Sequence, residues 1–269
     1  MRRFSAAARD TALGIAAIAL AAAFVAFTVI ALLALILRVT PTAFVATLHS
    51  PVVSEALWLS MRTSIVAAII IALCGTPLAA LLSQPFRGRA ALETLITLPV
   101  VLPPVVGGLA LLLAFGRAGL LGHALHLLGV ELPFTTAAVV LAQTFVAAPL
   151  YIAVAKSAFA RVDPQLIDAA ATLRASRAYT FARVIIPPAI PALAGGLALA
   201  WARALGEFGA TIMFAGNLPG VSQTMPVAVY ITAQTDLQAA IAVAVVLMVL
   251  SYGALLIVRH VGATAGVSP

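Results

Sequence analysis

The sequence predicts an all-α membrane protein with about six transmembrane helices. Of its 269 residues, 64% are hydrophobic and 9% are charged, and the mean hydropathy is +1.17. A chain of this composition cannot stay dispersed in water and belongs in a bilayer. Six uncharged stretches contain about the 20 residues that a helix needs to cross a hydrocarbon core of ~30 Å. They are 11–37, 63–82, 94–116, 132–155, 184–202 and 237–258.

The basic residues predict which way the helices run. Six spans place both termini on the same side, and cytoplasmic loops are enriched in Lys and Arg. With cytoplasmic termini, the outer loops hold only Arg38, Arg62 and Arg117. The cytoplasmic side then holds Arg2, Arg3, Arg9, Arg87, Arg89, Lys156, Arg161, Arg174, Arg177, Arg183 and Arg259. The net charge of +7 is therefore mainly an orientation signal, and nucleic-acid binding is not expected.

The first stretch is predicted to be a membrane anchor. Arg2-Arg3 followed by an apolar run is also typical of a secretion signal. The uncharged run at 11–37 is longer than the apolar region of such a signal, and Arg38 ends it as a charge ends a membrane span.

The third stretch is predicted to bend. Pro99 and Pro103-Pro104 lack backbone N–H donors, so the carbonyls left free need a neighbouring helix or water. Gly107-Gly108, like Gly195-Gly196 in the fifth stretch, allows another backbone to approach closely. We expect spans three and five from two copies of the chain to line a pore. The alternative is that these residues only kink and pack helices.

A polar island lies between the fourth and fifth stretches, inside a predicted cytoplasmic loop at 156–187. Asp163 can cap a helix that has Pro164 in its first turn. The apolar residues that fall on one face at helical spacing are Leu166, Ile167, Ala170 and Leu173. A short amphipathic helix is expected here.

A polar segment at 208–235 follows the fifth span. Asn217-Leu218-Pro219-Gly220 and Ser222-Gln223-Thr224 interrupt it, and neither half is long enough to cross a membrane. Irregular backbone near a membrane must line a cavity or be buried in protein. We expect an outer segment that is re-entrant or lies at the surface.

The polar island resembles the cytoplasmic loop of bacterial ABC-importer permeases, which docks on the ATP-binding subunit. That loop is written Glu-Ala-Ala, three residues, Gly, nine residues, Ile-x-Leu-Pro. The matching positions here are Asp168-Ala169-Ala170, Arg174, Val184, Ile186 and Pro187. Asp168 stands in place of the usual Glu and Arg174 in place of the usual Gly. A Gly at a turn suggests a positive φ, which would cost an Arg roughly 1 kcal/mol.

This resemblance implies that the island couples the chain to a separate ATPase. Ala169-Ala170-Ala171 leave a low-profile surface able to enter a cleft, and Asp168 and Arg177 are available for orienting contacts. The alternative is an ordinary solvated connector between membrane helices.

The residues after span five carry a second resemblance. They read Arg203-Ala204-Leu205-Gly206-Glu207-Phe208-Gly209-Ala210-Thr211, then Gly216-Asn217-Leu218-Pro219-Gly220, then Gln223-Thr224-Met225-Pro226. They are similar to those of molybdate/tungstate ABC-transporter permeases. Sulfate and thiosulfate permeases share a related pattern and remain the alternative. The resemblance, from about residue 54 to 259, implies a single permease domain at 1–269 with the type I ABC importer fold.

The same resemblance implies the partners and the location. A homodimer in the bacterial inner membrane would bind two ATP-binding cassette subunits and a periplasmic or lipid-anchored oxyanion-binding protein. ATP and Mg would be bound by the ATPase, with no cofactor in this chain. The candidate pathway residues are Pro103, Pro104, Gly107, Gly108, Glu207, Thr211, Asn217, Gln223 and Thr224. The side chains that could donate to an oxyanion, without a fixed positive charge that would trap it, are those of Thr211, Asn217, Ser222, Gln223 and Thr224.

Other classes of function lack their residues in the sequence. No glycine-rich phosphate loop precedes Lys156, and no His lies in a predicted span to activate a serine, so an enzyme is not expected. His123 and His126 have no obvious third ligand, and Cys74 lies inside span two, so no metal site is expected. A carrier or channel driven by an ion gradient is the rival; it would need ionisable residues inside the bundle, and only Arg203 and Glu207 are candidates.

Overall fold

The computed structural model describes the backbone of residues 2–264 and the side chains of residues 14–256. The side chains of Arg2, Arg3, Arg9 and Arg259, which were assigned to the cytoplasm above, lie outside the described residues. The described chain is helical, and a π-helical turn at Phe181–Ile185 joins α9 to α10. The helices are α1 (Arg2–Arg38), α2 (Pro41–Leu48), α3 (Pro51–Ser83), α4 (Arg89–Val101), α5 (Pro104–Phe115), α6 (Gly122–Leu127), α7 (Thr136–Ala160), α8 (Pro164–Thr172), α9 (Arg177–Thr180), α10 (Ile186–Leu205), α11 (Gly209–Phe214), α12 (Met225–Ala233) and α13 (Leu237–Thr264).

Within the described residues, five helical segments are long and apolar enough to cross a membrane, and the bent pair α4 and α5 is a sixth candidate. This agrees with the six predicted spans. The helices run beyond the uncharged stretches, because charged side chains at helix ends can reach the membrane surface. The predicted loop at 156–187 includes the last turn of α7, which contains Lys156. It also includes the helix that resumes at Arg177 and leads into the next span.

The predicted bend in span three is confirmed as a break of 117° between α4 and α5. Leu102 (φ −65°, ψ 137°) and Pro103 (φ −53°, ψ 131°) are both extended. Each of them precedes a proline, and the proline ring disfavours helical geometry in the residue before it. Pro104 then starts α5, where its missing N–H costs nothing. We call residues 101–104 the elbow.

Pro104 of the elbow and Gly108, one turn further along α5, pack tightly against α11. A Cβ added to Gly108 would lie 2.7 Å from the carbonyl oxygen of Ala210, and one added to Gly209 would lie 2.8 Å from the Cβ of Pro104. Both distances are shorter than atomic contact allows. The two glycines therefore let the backbones of α5 and α11 touch.

The centre of the bundle is formed by α3, α7 and α10. Gly75 of α3 lies against Tyr151 of α7, and Gly196 of α10 lies against Val154 of α7. The Tyr151 hydroxyl also hydrogen-bonds Thr76 Oγ1 at 2.6 Å. These contacts bring three spanning helices together, with further buried apolar residues of all three between them.

The polar segment at 208–235 is partly buried inside the protein. Its helices α11 and α12 are too short to cross a membrane, as predicted. The N–H of Met225 donates to Ser60 Oγ of α3 at 2.8 Å, and Thr136 Oγ1 of α7 donates to the carbonyl of Val221 at 2.7 Å. A re-entrant or surface placement is expected from sequence; residues 209–211, 214, 215 and 222–228 are buried, whereas residues 218–221 and 233–235 are exposed.

The close contact at the elbow gives a test by glycine substitution. We expect Gly108→Ala to lower the free energy of unfolding by about 1–3 kcal/mol, because its methyl group meets backbone atoms that cannot move aside alone. Gly195→Ala is the matched control, since nothing lies within 4 Å of a Cβ there. The control should be neutral or more stable by about 0.5–1 kcal/mol. Thermal unfolding in detergent measures both, and equal stabilities would contradict the contact.

Candidate functional site: coupling helix and polar segment

The predicted amphipathic helix of the polar island is α8, and its two apolar sides have different surroundings. Asp163 Oδ1 accepts from the N–H of Gln165 at 2.9 Å, which confirms the predicted cap. Ala170 is buried against the chain itself, and Ile167 is half-buried. Leu166 is half-exposed and Leu173 is 82% exposed. One side of α8 therefore anchors the helix to the bundle, and the other presents apolar side chains to the exterior.

Arg174 ends α8 in the left-handed conformation, with φ of 57°. The N–H of Ala175 bonds to the carbonyl of Ala170 at 3.0 Å, and the N–H of Arg174 bonds to that of Ala171 at 2.9 Å. This pair of bonds is the Schellman motif, whose left-handed residue is usually Gly. The expectation of positive φ at this position is confirmed, and Arg174 adopts the strained conformation that a Gly would adopt freely.

The remaining coupling candidates lie on or near the exposed side. Asp168, Ala169 and Ala171 of α8 are exposed, as are Arg177 at the start of α9 and Pro187 at the start of α10. Ala170 is the exception, so the three alanines do not form one outward surface. Behind α8 is a cavity of about 550 Å³, lined partly by Ile167, Ala171, Ala175 and Arg177.

Glu207 joins the end of α10 to the start of α11. Its carboxylate is 1% exposed and accepts from Arg203 Nη1 at 2.8 Å and from the N–H of Ala210 at 2.8 Å. Arg203 and Glu207, the two ionisable residues that the sequence places inside the bundle, therefore pair with each other. The same carboxylate caps α11, next to the glycine contact with the elbow. This geometry gives Glu207 a structural role at the junction of α10 and α11.

Buried polar atoms without a hydrogen-bond partner are concentrated around the polar segment. Thr211 Oγ1, Asn217 Oδ1, Gln223 Oε1 and Thr224 Oγ1 have none within the described part of the chain. Thr211, Gln223 and Thr224 are fully or almost fully buried. Leaving such an atom unpaired costs about 1–3 kcal/mol, so these positions call for water or a ligand.

Gln143 belongs with this group and was missed from the sequence. It is 0% exposed on α7, and both its amide atoms lack partners; its neighbour Thr144 has an unpaired hydroxyl as well. Val139 and Val146, one turn to either side, pack on Ala210 and Phe214 of α11 in one apolar cluster. The available signal was a carboxamide in the middle of an uncharged span, where a polar group is costly and often functional.

The candidate pathway residues do not share one surface. Pro103 and Pro104 of the elbow are exposed. Gly107 and Gly108 are buried against Phe145 of α7 and against α11. Together with the buried polar side chains, they lie within the protomer. The elbow is therefore exposed at the surface, whereas the polar side chains of the segment are enclosed within the protomer.

Comparison with known proteins shows the family to which the chain belongs. Residues 64–264 match the family described as "Binding-protein-dependent transport system inner membrane component". The chain belongs to this family. A solved bacterial ABC transporter involved in the import of the acidic polysaccharide alginate has a chain that superposes with a TM-score of 0.75 at 16% identity. The superposition covers 98% of both chains. A chain of the MetNI methionine ABC transporter superposes with a TM-score of 0.60 at 16% identity, covering 80% of this chain and 96% of the other.

Curated relatives narrow the resemblance within that class. The "Molybdenum transport system permease protein ModB" of Mycobacterium tuberculosis is 42% identical over 245 residues, covering 90% of this chain and 91% of the relative. The Escherichia coli K12 protein of the same description is 39% identical over 67% of this chain and 80% of its own. The "Probable transport system permease protein NifC" of Clostridium pasteurianum is 40% identical over 75% of this chain and 71% of its own length.

The conformation of Arg174 gives a test of the α8 terminus. We expect Arg174→Gly to raise the free energy of unfolding by about 1 kcal/mol, because Gly has no Cβ to clash at positive φ. Arg174→Ala removes the same charge but keeps the Cβ, so it should bring no such gain. Thermal unfolding of the two variants separates the effects. Equal gains in both would assign the change to charge and contradict the strain.

Proposed function

We propose that this chain is the permease subunit of an ATP-driven importer of molybdate, with tungstate as a chemically equivalent cargo. The observation that carries the proposal is the 42% identity, over 90% of the chain, to relatives named as molybdenum transport permeases. Sulfate is the second candidate because its permeases resemble this chain at the polar segment. The names of the relatives favour molybdate over sulfate, and family membership disfavours a carrier driven by an ion gradient.

In this proposal, the exposed side of α8 binds the ATPase. Leu173 projects from the protein although its burial would be favourable, and Leu166 and Ala169 are exposed on the same short helix. The opposite side is anchored through Ala170 and Ile167, so a displacement of α8 is transmitted to the spanning helices. ATP and Mg are bound by the ATPase, and this chain contributes the contact surface.

The second partner is another copy of the chain. The elbow exposes Val101 at 80%, and Val105 and Val106 are each close to half-exposed beside it. An apolar surface at a sharp break in a span is poorly covered by lipid alone, because the extended residues there leave backbone groups to satisfy. A homodimer that places two elbows together would cover this surface. It would also put the pathway between the two copies, in the inner membrane of a bacterium, below an external oxyanion-binding protein.

The polar segment supplies the chemistry that an oxyanion requires. Molybdate accepts hydrogen bonds and needs no carboxylate ligands. The hydroxyls of Thr211 and Thr224 are unpaired in this conformation and carry no charge. Donors of this kind can replace part of the hydration of the anion without holding it tightly. Since these groups are buried, the proposal requires the polar segment to open towards the pathway during transport.

Transport by the reconstituted complex tests the function. The permease, with the ATPase and the binding protein of its own host, should take up radiolabelled molybdate into vesicles only when ATP is present on the ATPase side. Excess tungstate should compete with the label, and excess sulfate should compete weakly. Stronger competition by sulfate than by tungstate would favour the sulfate candidate. Uptake without the ATPase would refute the coupled mechanism.

The unpaired hydroxyls allow a substitution that separates transport from folding. Thr211→Val and Thr224→Val remove hydroxyls that make no hydrogen bond, so stability should be unchanged or slightly higher. We expect the double variant to lower the rate of molybdate uptake about tenfold or more, the equivalent of losing one or two hydrogen bonds. Thr63→Val is the control, because that hydroxyl already bonds to its own helix at the carbonyl of Leu59. Undiminished uptake in the double variant would remove these residues from the pathway.

Leu173 gives the test of the docking surface. Leu173→Glu should greatly reduce copurification of the ATPase, because it places a charge in an apolar contact, while the exposed position keeps the fold intact. Leu120→Glu is the control; this leucine is 91% exposed in the turn between α5 and α6, which precede α7, whereas α8 follows the other end of α7. If both variants retain the ATPase equally, the exposed side of α8 is not the docking surface.

A further inference from the structure

Two cavities meet at Arg62 of α3. One, of about 460 Å³, lies beside Glu55 and Trp58 and is lined on its other side by residues 219–221 of the polar segment. The other, of about 490 Å³, is an almost wholly apolar groove between α3 and α7. Its walls include Val66 and Ile70 on α3, in line with Arg62 at intervals of four residues, and Val140 on α7. A charged compartment and an apolar groove therefore share one guanidinium group.

The charges in the first compartment are not neutralised by the protein. Within the described residues, the ion pairs join Arg89 and Lys156 to Glu93, Arg117 and His126 to Glu131, and Arg203 to Glu207. Arg62 and Glu55 take part in none of them. They are seven residues apart on one face of α3, an axial distance of about 10 Å. Glu55 lies beside the loop, since its Oε2 would be 3.3 Å from a Cβ added to Gly220.

Arg62 lies at the edge of the apolar part of the bundle. It lines the groove together with Thr136, the first residue of α7, so it is level with the start of a spanning helix. The apolar stretch of α3 begins at the next residue, Thr63. Trp58, one turn in the opposite direction, is 69% exposed, as tryptophans at a membrane interface often are. The compartment is therefore at the depth of lipid head groups and the groove at the depth of acyl chains.

We propose that this site binds one phospholipid with an ethanolamine head group. An acyl chain fills the groove along Val66, Ile70 and Val140, and the phosphate accepts hydrogen bonds from Arg62. The ammonium group reaches Glu55, whose carboxylate would repel a head group lacking a positive charge. A guanidinium and a carboxylate on one helix face, neither of them paired with any side chain of residues 14–256, match the order of charges in this head group.

The site would give the lipid a structural role. The bound molecule would contact α3, α7 and the loop at residues 219–221, which belongs to the polar segment. It would thus join the edge of that segment to two spanning helices. This consequence does not depend on which anion the protein transports.

Lipid titration of the delipidated full chain in detergent tests the proposal. Phosphatidylethanolamine should bind, as measured by native mass spectrometry, and should raise the melting temperature; phosphatidylglycerol should bind about tenfold more weakly. Arg62→Ala should weaken phosphatidylethanolamine binding about tenfold, as expected for one lost charge-assisted hydrogen bond. Glu55→Gln should remove the preference between the two lipids.

Two further variants keep the result interpretable. Ala137→Phe narrows the groove without touching a charge and should also weaken binding. Arg117→Ala, at the same end of the bundle but ion-paired to Glu131 and outside the site, should bind lipid as the unmodified chain does. Unchanged binding by Arg62→Ala, or equal binding of both lipids by the unmodified chain, would overturn the proposal. A change in oligomeric state instead of lipid binding would assign the groove to a second copy and overturn it equally.

Discussion

The contact between the elbow and α11 is the constraint on which much of this structure depends. Two successive prolines force two extended residues into the third span, and the free backbone groups there must be shielded from lipid. Gly108 and Gly209 allow α11 to pack against this break at backbone distance, while Pro103 and Pro104 remain exposed. Glu207 in turn fixes the start of α11 to α10. A break that would be costly alone is thereby built into a packed junction of three helices.

The polar segment combines firm anchorage with incomplete hydrogen bonding. Its backbone is tied to α3 through Ser60 and to α7 through Thr136. Several of its side chains, and Gln143 opposite, have no partner in this conformation. Anchored backbone with unpaired side chains is expected where a ligand or water completes the bonding, because burial without a partner is costly. The arrangement is therefore consistent with a segment that exchanges its partners during a transport cycle.

The coupling helix depends on a similar division between its two sides. Ala170 and Ile167 attach it to the bundle, whereas Leu173 remains outside. The left-handed Arg174 stops the helix after three turns or fewer and turns the chain towards α9. The helix contacts of α8 are with α9 and with the π-helical turn that leads into α10, so α8 lies directly before the start of that span.

Composition, charge distribution and short motifs determined the membrane class, six spans, the bend at the prolines and the positive φ at Arg174. These features arise from local backbone chemistry and from the length of helix that a bilayer requires. Only the tertiary structure decided that Ala170 faces inwards, that Gln143 lacks partners and that Arg62 and Glu55 remain unpaired. Burial and pairing depend on neighbours distant in the chain, and helical spacing cannot identify those neighbours. The sequence thus located the candidate segments, and packing decided which of their residues are buried and which are exposed.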